Sequence, residues 1–474
     1  MALLLGALLL PLIPPARAQE SHPPPTAHKF PYVGATLGVH DRLGRVPGRK
    51  FLDFDGKPMD AVKFLALNGF NAVRVGSVCY GQPLKTASVD NADVDHRELN
   101  FGLDWGGVDR QVDTACRARA LGEKVVLTIQ FGQDWVPGSW HESIPKDMLG
   151  LDYGQTLDKI DATTRVLLDQ FLDAGIQPDV VIVENEADSG MLFQYVGADG
   201  KMAIRDRPDR DVFSDSATGI YSILPKYVGY FKQEILSAKS ELKKRGFDPA
   251  QTRFALHTTT NYSRARSTFD RVFNNPHADA ESVYYGSGDK PLGIVTAVPA
   301  DLRNVRLADL VDVMGFSFYP SLPRNGTPAG FAAALAGENG GMDLTGDLAY
   351  FNTVIPKYGR YASGPFKGQS RKQVLVVEYA TGAGSEPGFD VPRQDAFTVA
   401  FFNALAKYEW TMGALWWEPT YAHNNWYGHS GSLYREGVWD PALKDVPLFR
   451  PIDTIKTWGA FAAPRAGTSY PGRN

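Results

Sequence analysis

The chain has little of several things, and each shortage removes a class of function. Only two of its 474 residues are cysteine, Cys79 and Cys116. That excludes a disulfide scaffold and any cysteine-built metal knuckle. The pair is expected to be two separate, half-buried thiols. Net charge is only −4, so neither nucleic acid nor an anionic membrane is an expected partner. No Gly-rich phosphate loop follows the first strand-like segment, which argues against a doubly wound nucleotide-binding sheet. After the first eighteen residues no apolar run is long enough to span a bilayer. No metal set stands out. Asp90–Asp95 resembles part of a calcium loop but lacks the glycine and terminal glutamate of the helix–loop–helix type, and reads as a solvated acidic loop. No cofactor motif is found.

Residues 1–18 form an apolar stretch ending in Ala16-Arg17-Ala18, which reads as a secretory signal cleaved before Gln19. Residues 19–29 are a Pro-rich linker. The rest, 30–474, is expected to be one domain, secreted or periplasmic and monomeric. Two glycosylation sequons start at Asn261 and Asn325.

Buried-strand runs alternate with amphipathic helical stretches along that domain. Strands are expected at Tyr32–Val39, Asn71–Gly76, Lys124–Phe131, Asp179–Glu184, Arg253–Thr258, Val311–Phe318, Gln373–Tyr379 and Gly413–Trp417. Helices are expected at Asp60–Asn68, Trp105–Leu121, Leu157–Ala174, Thr218–Arg245 and Arg393–Lys407, four of them stopped by a glycine or closely followed by one. Eight such units predict an α/β fold, a (β/α)8 TIM barrel, with long loops on its C-terminal face. The connections Tyr262–Leu310 and Ser321–Lys372 are read as loop expansions.

Two of the strands deliver carboxylates at their C-terminal ends. Val180-Val181-Ile182-Val183 runs into Glu184-Asn185-Glu186, and Val374-Leu375-Val376-Val377 into Glu378. In a parallel barrel that end is the active face. Two carboxyls meeting there suffice for retaining glycoside hydrolysis, in which they stand about 5–5.5 Å apart.

The motifs also resemble a known family. Gly69-Phe70-Asn71-Ala72-Val73-Arg74-Val75, the run Val126–Gly138, Ala174-Gly175-Ile176-Gln177-Pro178-Asp179 leading to Glu184-Asn185-Glu186, Asp312–Pro320, Val376-Val377-Glu378 and Gly413–Pro419 are similar, in that order, to the strand motifs of glycoside hydrolase family 53. These are the arabinogalactan endo-β-1,4-galactanases of clan A. The resemblance implies Glu186 as acid/base and Glu378 as nucleophile. It implies a polysaccharide substrate. The family usually has glycine where Glu184 stands, and aspartate and histidine where Thr128 and Gln130 stand, so the glycan itself stays open: another β-linked polymer is the alternative. A non-catalytic glycan-binding barrel is a further one.

Chemistry suggests the supporting cast. Arg74 should project a fixed positive charge into the barrel mouth and favour ionised Glu378. Tyr319 is placed to hydrogen-bond the same carboxylate. Asn185 suits a sugar 2-hydroxyl. Gln130 and His257 are polar groups at strand ends. Trp417 is the candidate sugar platform, with Trp135, Trp140, Tyr379 and Trp426 as further aromatics. Strand alternation puts Glu184 on the face of Glu186, where a buried carboxylate needs a cation. Arg74 is its expected partner in a lumen ion pair.

Overall fold

The computed structural model describes residues 28–37, 50–79, 108–131, 147–148, 150–187, 191–192, 194–196, 202–204, 224–259, 264–274, 282–287, 290–320, 326–338, 342–381, 391–417, 419, 434–436 and 448–465. Eight parallel strands close a barrel: β1 (Tyr32–Thr36), β2 (Ala72–Cys79), β3 (Lys124–Gln130), β4 (Val180–Val183), β5 (Arg253–Thr259), β6 (Val313–Phe318), β7 (Gln373–Tyr379) and β8 (Thr411–Trp416). Each pairs with its sequence neighbours, and β1 closes the ring on β8 through Tyr32 opposite Gly413. Gly413 has φ +126°, and a Cβ there would strike the Tyr32 carbonyl, so the seam requires glycine.

Helices α1 (Ala61–Leu67), α2 (Val108–Ala120), α3 (Tyr153–Asp173), α4 (Leu224–Lys244), α5 (Leu307–Leu310), α6 (Leu344–Val354), α7 (Val391–Leu405) and α8 (Thr454–Gly459) follow the strands. Their starts are chemically marked. Asp60 accepts from Lys63 N at 2.9 Å, and Asp152 with Gln155 forms a capping box at the head of α3. Gly69, Gly175 and Gly246, all at positive φ, stop α1, α3 and α4.

The long connections hold more structure than their sequences show. Between β6 and β7 lie α6 and a further helix, Pro328–Leu335, capped by Asp343 and Thr327. Pro328–Leu335 is mostly Ala and Gly, so its apolar periodicity is weak. Between β5 and β6 an antiparallel hairpin pairs Ser282–Ser287 with Lys290–Ala297.

Apolar side chains fill the lower barrel: Tyr32, Val126, Val180, Ile182, Val313, Leu375, Val377 and Met412 are among them. A second core lies between strands and helices. Tyr379 belongs to that outer core, fully buried against Phe401, Trp416 and Trp458. It is therefore not a sugar platform. Cys116 on α2 is a free, half-buried thiol.

Glu123, fully buried before β3, is pushed up to about 8 by burial, with Arg465 opposing and Asp60 assisting. Its folded value lies above the unfolded one, so the folded state holds the proton more tightly. Stability then falls as pH rises from about 4 toward that value. Glu123→Gln should leave the melting temperature unchanged near pH 4. At pH 8 it should raise stability by on the order of 2–4 kcal/mol; equal melting shifts at both pH values would contradict this.

Candidate active site

The polar groups gather at the C-terminal ends of the strands, above the apolar lumen. Arg74, on β2 and 1% exposed, uses its whole fork. Nε donates to Thr128 Oγ1 at 2.9 Å, Nη1 to Glu378 Oε1 at 2.5 Å, and Nη2 to Asn185 Oδ1 at 2.7 Å. One rigid guanidinium thus ties β2, β3, the end of β4 and β7 together.

Glu378 reaches the lumen by an irregularity. Phe316 of β6 pairs with Val376, but Ser317 pairs with Glu378, so β7 carries an extra residue at Val377. Such a bulge re-aims the side chain that follows it. Val377 stays in the lumen, Glu378 turns in as well, and Tyr379 goes to the outer core. Glu378 then accepts from Arg74, from the Tyr319 hydroxyl and, at 3.3 Å, from Ser317. Burial works against its ionisation. The charge of Arg74, the His257 ring, and the bonds from Tyr319 and Arg74 outweigh it and hold the carboxyl below the usual range. Burial, then the charges of Glu378 and Glu186, push Tyr319 well up, so it stays a donor.

Glu186, 3% exposed, accepts a short hydrogen bond from the Ser317 hydroxyl. One hydroxyl therefore lies between both glutamates. An oxygen of each, with a ring nitrogen of His257, falls in a group spanning at most 4.8 Å. His257 Nε2 is 2.9 Å from Ser317 Oγ, and its Nδ1 lies 3.1 Å from Asn185 Oδ1 and 3.3 Å from Glu186 N. These three side chains have metal-ligating spacing. Arg74 already sits on Glu378, however, and its fixed charge disfavours a cation there.

Residues 34–205 match the family model of glycosyl hydrolase family 53. That match takes in strands β2 to β4 and, with them, Arg74 and Glu186. A probable arabinogalactan endo-β-1,4-galactanase A of Neosartorya fischeri is 24% identical over 251 residues, which is 47% of this chain and 63% of that protein's length. Two solved structures share the fold. Fungal β-1,4-galactanases superpose with a TM-score of 0.56 at 16% identity, covering 90% of this chain and 99% of theirs. The family 53 catalytic domain of Ignisphaera aggregans gives 0.55 at 16% identity, covering 94% and 99%.

In this barrel Glu184 is not where alternation puts it. Strand β4 ends at Val183, and both Glu184 and Glu186 have left-handed backbones, φ 61° and 47°. Period-two alternation fails once φ turns positive. Arg74 is committed to Thr128, Asn185 and Glu378, so the expected Arg74–Glu184 lumen pair is not formed. Fully buried Glu184 instead accepts from the backbone N–H groups of Phe131 at 2.9 Å and Asn185 at 3.2 Å. It also lies within electrostatic reach of Glu234 on α4. Glu234 is itself fully buried, and burial followed by the Glu184 charge pushes its carboxyl well up.

Trp417, half-buried just past β8, stands edge-on to Tyr319 with centroids 6.3 Å apart. Gln130 is fully buried at the C-terminal end of β3. Trp135, Trp140, Trp426, the sequon asparagines Asn261 and Asn325, the Asp90–Asp95 loop and the leader lie outside the described residues. Ser317 is the residue that sequence reasoning missed. Its signal was present: it stands two positions before Tyr319 on the same strand face.

Proposed function

We propose that the chain is a retaining endo-glycosidase that cleaves β-1,4-galactosidic bonds in galactan or arabinogalactan by double displacement. The observation that carries this reading is the approach of Glu186 and Glu378 to within 4.8 Å across one shared hydroxyl. That gap matches direct attack on the anomeric carbon, about 5–5.5 Å, rather than the roughly 6.5–9.5 Å that admits a water in inversion. The names of the fungal relatives support the linkage.

Glu378, kept ionised by Arg74 and Tyr319, attacks the anomeric carbon. Glu186 gives its proton to the leaving oxygen. Water then enters, returns a proton to Glu186, and displaces Glu378 from the sugar. Asn185 Oδ1 is committed to Arg74 and faces His257, so its amide NH2 is the group we assign to the sugar 2-hydroxyl. Trp417 supplies an apolar face beside Tyr319 for the sugar C–H groups. The Ala16-Arg17-Ala18 leader supports export. Among the described residues no helix is long and apolar enough to cross a membrane.

Purified protein offered β-1,4-galactan, xylan, mannan and β-glucans should release galacto-oligosaccharides from the first alone. NMR of the initial products should show the β anomer. Initial α product would overturn retention, and cleavage of a different polymer would overturn the substrate.

A further inference from the structure

Ser317 has no role in the mechanism as stated, yet it has the most connected hydroxyl in the site. Its oxygen lies 2.9 Å from His257 Nε2, makes a short bond to Glu186 Oε1, and stands 3.3 Å from Glu378 Oε2. It is 1% exposed. His257 holds it from behind. Its Nε2 faces Oγ, and its Nδ1 lies 3.1 Å from Asn185 Oδ1 and 3.3 Å from Glu186 N, which ties the ring to the turn after β4. The hydroxyl has a single hydrogen, so it can serve only one carboxylate at a time.

The reaction changes which carboxylate needs it. Before attack, Glu378 is the anion and Glu186 carries the proton. After attack, Glu378 is an ester and Glu186 is the anion. We propose that Ser317, anchored by His257, is a positioning residue that swings its one hydrogen from Glu378 to Glu186 between the two steps, stabilising whichever carboxylate is ionised. No bond to carbon is made or broken by Ser317, and it gains and loses no net proton. The inference rests on the retaining glycosidase reading.

The charged and titratable groups gathered around Ser317 and its two carboxylates among the described residues are Arg74 from β2, Glu186 after β4, His257 from β5, Tyr319 beyond β6 and Glu378 from β7. Glu378 keeps Arg74 and Tyr319 when the hydroxyl leaves. Ser317 Oγ also lies closer to Glu186 than to Glu378. Loss of Ser317 should therefore weigh more on the second step than on the first.

The test is Ser317→Ala, with His257→Gln as the companion that keeps a donor but loosens the anchor. On a dinitrophenyl β-galactoside, whose leaving group needs no acid, turnover is limited by hydrolysis of the glycosyl-enzyme. Ser317→Ala should lower kcat by about 10- to 100-fold and lower KM with it. The acidic limb of kcat should move up by about one pH unit, and that of kcat/KM by less. His257→Gln should show the same pattern more weakly, and the double variant should be no worse than Ser317→Ala. Unmoved acidic limbs in a folded Ser317→Ala protein, or fully additive effects, would overturn the proposal. Carbon-13 NMR titration of glutamate-labelled protein, with signals identified through Glu186→Gln and Glu378→Gln, reads the linkage without substrate. A titration of Glu186 that moves in Ser317→Ala while no glycan is cleaved would sink the glycosidase reading alone. An unmoved titration beside intact galactan cleavage would sink the Ser317 role alone.

Discussion

Glu378→Ala should lower kcat on β-1,4-galactan by roughly 10³-fold or more, with ligand affinity retained. The expectation follows from what surrounds the carboxylate. Arg74, Tyr319 and Ser317 all direct hydrogens at it, and such convergence on one buried anion is an arrangement for keeping it ionised. Removing the carboxylate removes the atom that forms the covalent intermediate. It also leaves a space beside a guanidinium. A small anion such as azide should enter that space, restore part of the rate on an activated aryl galactoside, and yield the α-azide. Full activity in the variant would show that the nucleophile lies elsewhere. Loss of binding together with rate would instead mark Glu378 as structural.

Arg74→Met is expected to have the second largest effect, and it separates charge from shape. Methionine fills much of the arginine stem but supplies none of the three hydrogen bonds. Glu378 would keep its burial and lose its largest stabilising charge, so its titration should rise. The acidic limb of kcat/KM should move upward with it, and kcat at pH 6 should fall by roughly 10²-fold or more. Breaking a buried pair while leaving one charge behind typically costs about 3–5 kcal/mol, so the melting temperature should also drop. The linkage sign is definite. Glu378 now contributes stability that is present above its unfolded pKa and lost as pH falls through its lower folded one; in the variant that contribution should vanish. Arg74→Lys should rescue little, because one ammonium cannot reach Thr128, Asn185 and Glu378 together. A methionine variant with wild-type pH limbs would refute the assignment.

The barrel was legible in the sequence because its strands are continuous aliphatic runs and several of its helices end in glycine. Both signals are local. The site was legible only in part. Glu186, Glu378 and Tyr319 stand at or just beyond strand ends, where position along the chain nearly specifies position in space, and Arg74 lies within β2. Glu184 was misjudged because alternation assumes an extended backbone, and two residues of the turn adopt positive φ. The bulge at Val377 is likewise invisible beforehand. Strict alternation from Leu375 and Val377 would send Glu378 outward and Tyr379 inward, the reverse of what is found. Ser317 was overlooked because a lone serine within a strand carries no compositional signal. Only the approach of His257 and the two glutamates distinguishes it.

The ring's closure has a consequence for how the chain comes to its native state. Phe30 exchanges backbone hydrogen bonds with Phe461 and Ala463, Asn71 Nδ2 reaches the Ala463 carbonyl, and Arg465 donates to Leu121 and Ala66. The floor beneath the first three strands is thus laid by residues far downstream of them in the chain. While the polypeptide is still emerging, its early strands can find their neighbours but not their underside. Contacts of such long sequence separation pay their loop-closure entropy late, which makes assembly slow.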